Sequence, residues 1–237
     1  MKIYCLEMIL GAVLAAAFFA VWVWQSAGKL SQAELHHYIG ILEKELPQEM
    51  EDRAEFIARL RAWGENDDGR PVFMLNLMRY HDQLKPFPGA PTSGTPAEVN
   101  AQYEAATTPM LIKRGGYPLV AGPTTRIRSG QNPESNLMVF NPDKDNWDRV
   151  VIVRYPGRRT FLDLLASPDY IKVMPYKLSS LEVVLTPVSG ELVIPDLRWI
   201  VGGGCLAFFL VVGWVRAARC PRSCRITPSS CTTPSNV

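Results

Sequence analysis

RYPGRRTFLDLLASPDY, residues 154–170, decides the reading of this chain. The four residues before it, Val150, Val151, Ile152 and Val153, are β-branched and too few for a helix, so they read as a strand buried on both faces. Pro156 and Gly157 end that strand. Phe161, Leu162, Leu164 and Leu165 then fall at helical spacing, and Ser167 before Pro168 has the form of an N-cap with proline at the first helical position. The stretch is therefore a strand, a helix and a second helical start.

Working outward, the neighbouring segments supply the rest of an α+β domain. VFMLNLM, residues 72–78, is a strand apolar at nearly every position. Thr95, Pro96 and Glu98 form a capping box, and Val99, Tyr103, Ala106 and Met110 mark the buried stripe of a helix that ends at Gly115-Gly116, with a kink expected at Pro109. Residues 117–121, 149–155 and 181–186 read as further strands, and 136–140 can extend the sheet. The order strand, helix, strand, strand, helix, strand is the split βαβ arrangement of ferredoxin-like folds. Because residues 72–78 and 150–153 do not alternate, a second covering is expected on the sheet face that the helices leave open. The sheet of a second copy would provide it, in a two-fold homodimer.

Upstream, Ser31 and Glu34 form another capping box, followed by Leu35, Tyr38, Ile39, Leu42 and Leu46, and Phe56, Leu60 and Trp63 continue the pattern as a second helix. This pair reads as a helical neck. At the ends, residues 8–24 and 199–215 are each 17 residues without a charge, about 25 Å of helix, with tryptophans at their edges. They read as transmembrane anchors, the first retained rather than cleaved. Arg216, Arg219, Arg222 and Arg225 follow the second with no acid, which places both termini in the cytoplasm and the central domain outside it. The expected organisation is a transmembrane helix over 5–25, a neck over 26–68, the α+β domain over 69–190, a second transmembrane helix over 198–216 and a disordered cytoplasmic tail over 217–237.

Five cysteines all lie toward the ends, at positions 5, 205, 220, 224 and 231, so disulfide and thiol chemistry are excluded from the central domain. The tail cysteines lack a fourth ligand for a closed zinc site. The net charge is +2 and the central domain is nearly neutral, which excludes a nucleic-acid partner. His36, His37 and His81 have no metal-ligand spacing, and the chain has no Gly-rich phosphate loop, nucleophile elbow or Cys/His pair. No metal and no cofactor are expected.

MLNLMRY (residues 74–80), the helix ending in Gly115-Gly116, Trp147 before the third strand, VRYPGRRTFLDLLASPDY and the closing LEVVLTP (residues 181–187) resemble, in order and spacing, an uncharacterised bacterial family of the dimeric α+β barrel superfamily. The resemblance spans roughly residues 69–187. It implies a ferredoxin-like dimer distantly similar to cofactor-free antibiotic-biosynthesis monooxygenases and muconolactone isomerases, and by itself implies no activity. Family members often carry a His-Arg pair in the last helix. This chain has Tyr176-Lys177 there, so a proton-transfer role for that His is not carried over.

Asn76, the one polar residue inside an apolar strand, either reaches a pocket or satisfies neighbouring backbone. Tyr103, Trp147 and Tyr170 either line a cavity between sheet and helices or pack in the core. Arg79 and Arg154, with Lys177, either hold an anion at the strand ends or are solvated. Asn76, Arg79, Tyr103, Trp147, Arg154 and Tyr170 are the candidate ligand contacts. The leading functional reading is a domain anchored in a lipid bilayer, a bacterial inner membrane, that binds a small, mostly apolar ligand in the barrel. The alternatives are a cofactor-free monooxygenase or isomerase, and a structural or assembly membrane protein without a ligand.

Overall fold

The computed structural model describes residues 28–189, apart from 126, 128–134, 139, 140, 142 and 143, together with 197–219 and, within the first 27 residues, positions 9, 12, 13, 16, 19, 20, 23 and 24. After α1 (Gln32–Glu45) and α2 (Arg53–Glu65), the order is β1 (Val72–Tyr80), α3 (Pro96–Lys113), β2 (Tyr117–Pro123), β3 (Arg149–Tyr155), α4 (Arg158–Leu165), α5 (Pro168–Ser180), β4 (Leu181–Ser189) and, as a separate unit, α6 (Leu197–Arg219). The four strands form one sheet in the order β2-β3-β1-β4, every pair antiparallel.

Local chemistry accounts for the boundaries. Ser31 with Glu34 and Thr95 with Glu98 close complete capping boxes, each side chain answering the other residue's backbone N–H. Ser167 caps α5 by accepting from the Tyr170 N–H, and Pro168 takes the position where a missing N–H costs nothing. Gly115, just past the end of α3, has φ +80°; a Cβ there would stand 2.4 Å from the Trp24 carbonyl oxygen and 3.0 Å from Pro156 Cγ. Only glycine fits that turn without strain.

Strand alternation gives the sheet two distinct faces. Val72, Met74, Asn76 and Met78 of β1 point to the helices and are buried. With them on that side stand Val151, Val153 and Tyr155 of β3, and Leu181, Val183 and Leu185 of β4. The opposite face carries Phe73, Leu75 and Leu77, flanked by Val150 and Ile152 on β3 and by Val184 and Val188 on β4. Leu75 sits directly between Ile152 and Thr186.

Three expectations need correction. The chain is not flanked by two demonstrable transmembrane helices: among the described residues no helix is long and apolar enough to cross a membrane. α6 itself is the 23-residue helix Leu197–Arg219, and its described side chains, 203–215, are apolar and almost all exposed. Most of 5–25 lies outside the described residues, as does the tail from 220 onward. Second, α1 and α2 do not stand off as a neck. Leu35, Ile39, Leu42, Leu46, Ile57 and Leu60 belong to the same core as Met74, Val153, Phe161 and Leu162. Third, residues 136–138 add no strand, and Leu137 and Met138 are almost fully exposed; 139 and 140 lie outside the described residues. α3 carries Pro109 inside it and continues to Lys113.

The opening stretch now has a structural explanation. Gly157 turns the chain out of β3, and Phe161 lands edge-on between Tyr155 (5.2 Å between centroids) and Trp63 (5.5 Å). The two arginines after the turn hold α1 and α2 in place. Arg158 donates to the Trp63 carbonyl at 2.5 Å and lies over the Trp63 ring, and Arg159 pairs with Glu34 at 2.9 Å. Asp67, with a side chain 1% exposed, accepts the Leu30 N–H at 2.6 Å and lies 3.6 Å from Arg158 Nε. A turn in the sequence is thus also a docking surface.

Candidate functional site

On the helix side of the sheet, three expected contacts come together and a fourth residue joins them. Asn76 enters from the middle of β1. Its Nδ2 donates to the Met74 and Val151 carbonyls, both at 3.2 Å, which leaves Oδ1 pointing toward the helices. There it accepts from Lys177 Nζ of α5 at 3.1 Å. Lys177 in turn lies over the ring of Tyr103 of α3, 5.6 Å from its centroid. Tyr103 and Tyr170 share a hydrogen bond between hydroxyls at 3.0 Å, with their rings tilted 73° and 6.1 Å apart. Asn76 thus satisfies neighbouring backbone, one of the two readings offered for it, and presents Oδ1 to Lys177.

Around this cluster the charges are arranged unequally. Glu104, next to Tyr103, binds Arg149 of β3 through two bonds of 2.8 and 2.7 Å and accepts from Asn100 Nδ2 at 2.9 Å. Among the described residues Lys177 pairs with no carboxylate; its amine meets Asn76 and the Tyr103 ring, and the residue as a whole stays partly exposed. Burial pushes its pKa down to about 8, against a smaller upward pull from Glu104. Burial raises the Tyr103 hydroxyl well above the ordinary range, helped by Tyr170, and raises Tyr155 and Tyr170 as well. Near neutral pH the phenols are therefore uncharged hydrogen-bonding groups, and the amine is the group poised to change charge.

Arg79, Trp147 and Arg154 belong elsewhere. Arg79 is ion-paired with Glu182 across β1 and β4, with its guanidinium 6.0 Å from the Trp147 ring centroid. Arg154 lies over Tyr117 at 5.6 Å, at the other end of the sheet. Both arginines are on the face away from the helices, so these three residues do not share a site with Asn76. An open depression lined by Asp82, Gln83, Leu84, Thr92, Gly94, Thr95 and Pro96 is a further feature, on the loop side of α3. Among the described residues, no three His, Cys, Asp or Glu side chains gather as a metal site.

Glu104 and Arg149 carry no mark in the sequence that separates them from other surface charges. Lys177 does carry a signal: Tyr170 and Lys177 are seven apart in one helix, two turns along the same face.

No family model matches the chain, and no curated protein matches it. Among solved structures it is similar to a protein of unknown function from Rhodopseudomonas palustris, a structural-genomics target, at 25% identity over 60% of this chain and 94% of that one, with a TM-score of 0.46. A methylated form of that protein matches at 26% identity over 60% and 93%, also with a TM-score of 0.46. The monooxygenase and isomerase relationship expected from the motifs is accordingly not shown; the neighbours are proteins of unknown function.

Proposed function

We propose that the chain binds a small, mostly apolar molecule bearing one oxygen acceptor, held between α3, α5 and the sheet, and that it does so as a two-fold homodimer formed through the other sheet face. Lys177 carries the reading. A buried ammonium costs several kcal/mol unless it is paired, and an apolar residue would fill the same space more favourably. Here it is retained with a single side-chain acceptor, Asn76 Oδ1, and no carboxylate. A perturbed cation placed among neutral phenols is the pattern of a binding or reacting site more often than of a structural one. Apolar Met74, Met78 and Met174 on the facing elements suit a mostly apolar ligand.

The dimer is supported by the composition of the outer face. Val120, Val184 and Val188 are 55%, 44% and 44% exposed, alongside half-buried Leu75, Leu77 and Ile152. These apolar residues lie side by side on one sheet face, as an interface through that face requires.

One observation also favours chemistry without a cofactor. An amine with a pKa of about 8 is a usable base near neutral pH, which fits proton transfer of the isomerase kind.

Titration of the full chain with benzoate, followed by amide NMR, tests the binding reading. Saturable shifts at Asn76, Tyr103, Tyr170 and Lys177, with affinity roughly tenfold weaker in Lys177→Met, are expected; tenfold is about 1.4 kcal/mol. If benzoate up to about 10 mM, well above the millimolar affinity of a weak ligand, shifts none of these residues, the layer is core and the chain's role is structural.

A further inference from the structure

The geometry around Lys177 narrows the ligand class, on the footing of the small-ligand reading above. Asn76 is the fixed point. Its Nδ2 is held by two backbone carbonyls, and the swapped amide would press Oδ1 against both, so Oδ1 faces Lys177 in one orientation only. The amine is therefore aimed by a neutral acceptor, and among the described residues its nitrogen keeps two N–H bonds unspent on side chains. Tyr103 faces it from α3 and Glu104 acts on it from the same helix; Tyr170 bonds to Tyr103, and Arg149 of β3 bonds to Glu104. Glu104 is the sole anion among them, and Arg149 neutralises it. Lys172, by contrast, lies on the same helix beside Asp169 with its side chain 74% exposed.

We propose that Lys177 condenses with the carbonyl carbon of a small aldehyde or ketone to form an imine, which makes carbonyl compounds the ligand class of this site. The nitrogen lone pair forms the C–N bond while the C=O π pair moves to oxygen, and one amine proton passes to that oxygen. The carbinolamine then loses its hydroxyl with the second amine proton as water, and the nitrogen pair closes the C=N bond. No oxidant, reductant or metal enters the balance. The Tyr103–Tyr170 hydroxyl pair, carried in part by the ring that Lys177 covers, remains neutral.

Benzaldehyde with sodium cyanoborohydride at pH 7.5, applied to the full chain, traps such an imine as a benzyl amine that peptide mapping locates. At that pH a lysine of pKa about 8 is neutral in roughly a quarter of molecules and an ordinary one in roughly a thousandth. Even with restricted access, labelling of Lys177 at least ~10-fold faster than that of Lys172 is expected. Benzoate should slow it, and Lys177→Arg, which keeps the cation, should lose that adduct and no other. Benzoate binding at the site without preferential labelling of Lys177 overturns the imine inference and leaves the binding reading standing. Neither benzoate binding nor preferential labelling overturns both.

Discussion

Replacing Lys177 by methionine should change how stability responds to pH in a way that no repacking can imitate. In the folded chain the amine titrates near pH 8, and in the unfolded chain near its usual 10.5. Between those values the unfolded state holds more protons than the folded one, so the lysine's contribution makes stability rise with pH through that window. Below pH 8 both states are protonated and the whole penalty is in force: a shift of about 2.5 pH units is about 3 kcal/mol at 1.36 kcal/mol per unit. Between pH 7 and 9.5 about 2 kcal/mol of that is recovered by the native chain and none of it by Lys177→Met. The substitution also strands Asn76 Oδ1, a buried acceptor worth roughly 1–3 kcal/mol, but that cost is the same at every pH and cancels from the trend. Tyrosine titration near pH 10 is shared by both proteins and cancels too. Urea unfolding of each at pH 7, 8, 9 and 9.5 measures the difference. A native-minus-variant stability difference flat to within ~0.5 kcal/mol over that range would refute the depressed lysine and every functional argument that uses it.

Other perturbations test neighbouring parts of the structure. Glu104→Gln removes the anion that raises the Lys177 pKa, so the pH midpoint of Lys177 labelling should fall further below 8; an unchanged midpoint counts against the coupling. Asp67→Ala leaves the Leu30 N–H and the largely buried Arg158 without their carboxylate and should cost about 3 kcal/mol in chemical denaturation, whereas a loss under ~1 kcal/mol would show that the Trp63 contacts suffice. Leu75→Lys and Ile152→Glu face each other on the outer sheet face, so each alone should shift sedimentation from dimer to monomer with far-ultraviolet dichroism intact; a native chain that already sediments as a monomer at micromolar concentration removes the dimer. Gly115→Ala, forced into φ +80° against the Trp24 carbonyl, should lower stability by roughly 1–2 kcal/mol, readable as a fall in Tm.

The elements most legible in the sequence were those whose cause is local. Capping boxes at Ser31 and Thr95, the Ser167-Pro168 start and the β-branched run 150–153 involve partners within a few residues, and each folds as its neighbours dictate. What stayed hidden depends on partners far away in sequence. The stripe Leu35, Ile39, Leu42 announces a buried face without saying what buries it; the answer lies more than 110 residues on, where Arg158 and Arg159 anchor the helical pair and Phe161 and Leu162 complete its core. The apolar terminal runs are a separate case: a charge-free run states hydrophobicity, and among the described residues no helix is long and apolar enough to cross a membrane. Within the site, Asn76, Tyr103 and Tyr170 stood out as single residues. Their separation from Arg79 and Arg154 required the strand register, since one residue of offset decides which face a side chain takes.

That register also explains why one strand can serve two purposes. Along β1 the odd positions Phe73, Leu75 and Leu77 are apolar until Arg79 closes the strand, and the even positions Val72, Met74 and Met78 are broken at Asn76. An amide at an odd position would meet the outer face and weaken whatever covers it. At position 76 it meets the carbonyls of Met74 and Val151, which fix it, and the amine of Lys177, which it fixes in turn. A leucine there would keep the strand and the core but leave the ammonium with no hydrogen-bonding side chain, at a cost that burial makes prohibitive unless the amine stays neutral. The polar residue in the middle of the strand is thus the reason a charged lysine can stand between the helices and the sheet, and the apolar residues Phe73, Leu75 and Leu77 on the other side are free to act as an assembly surface without disturbing it.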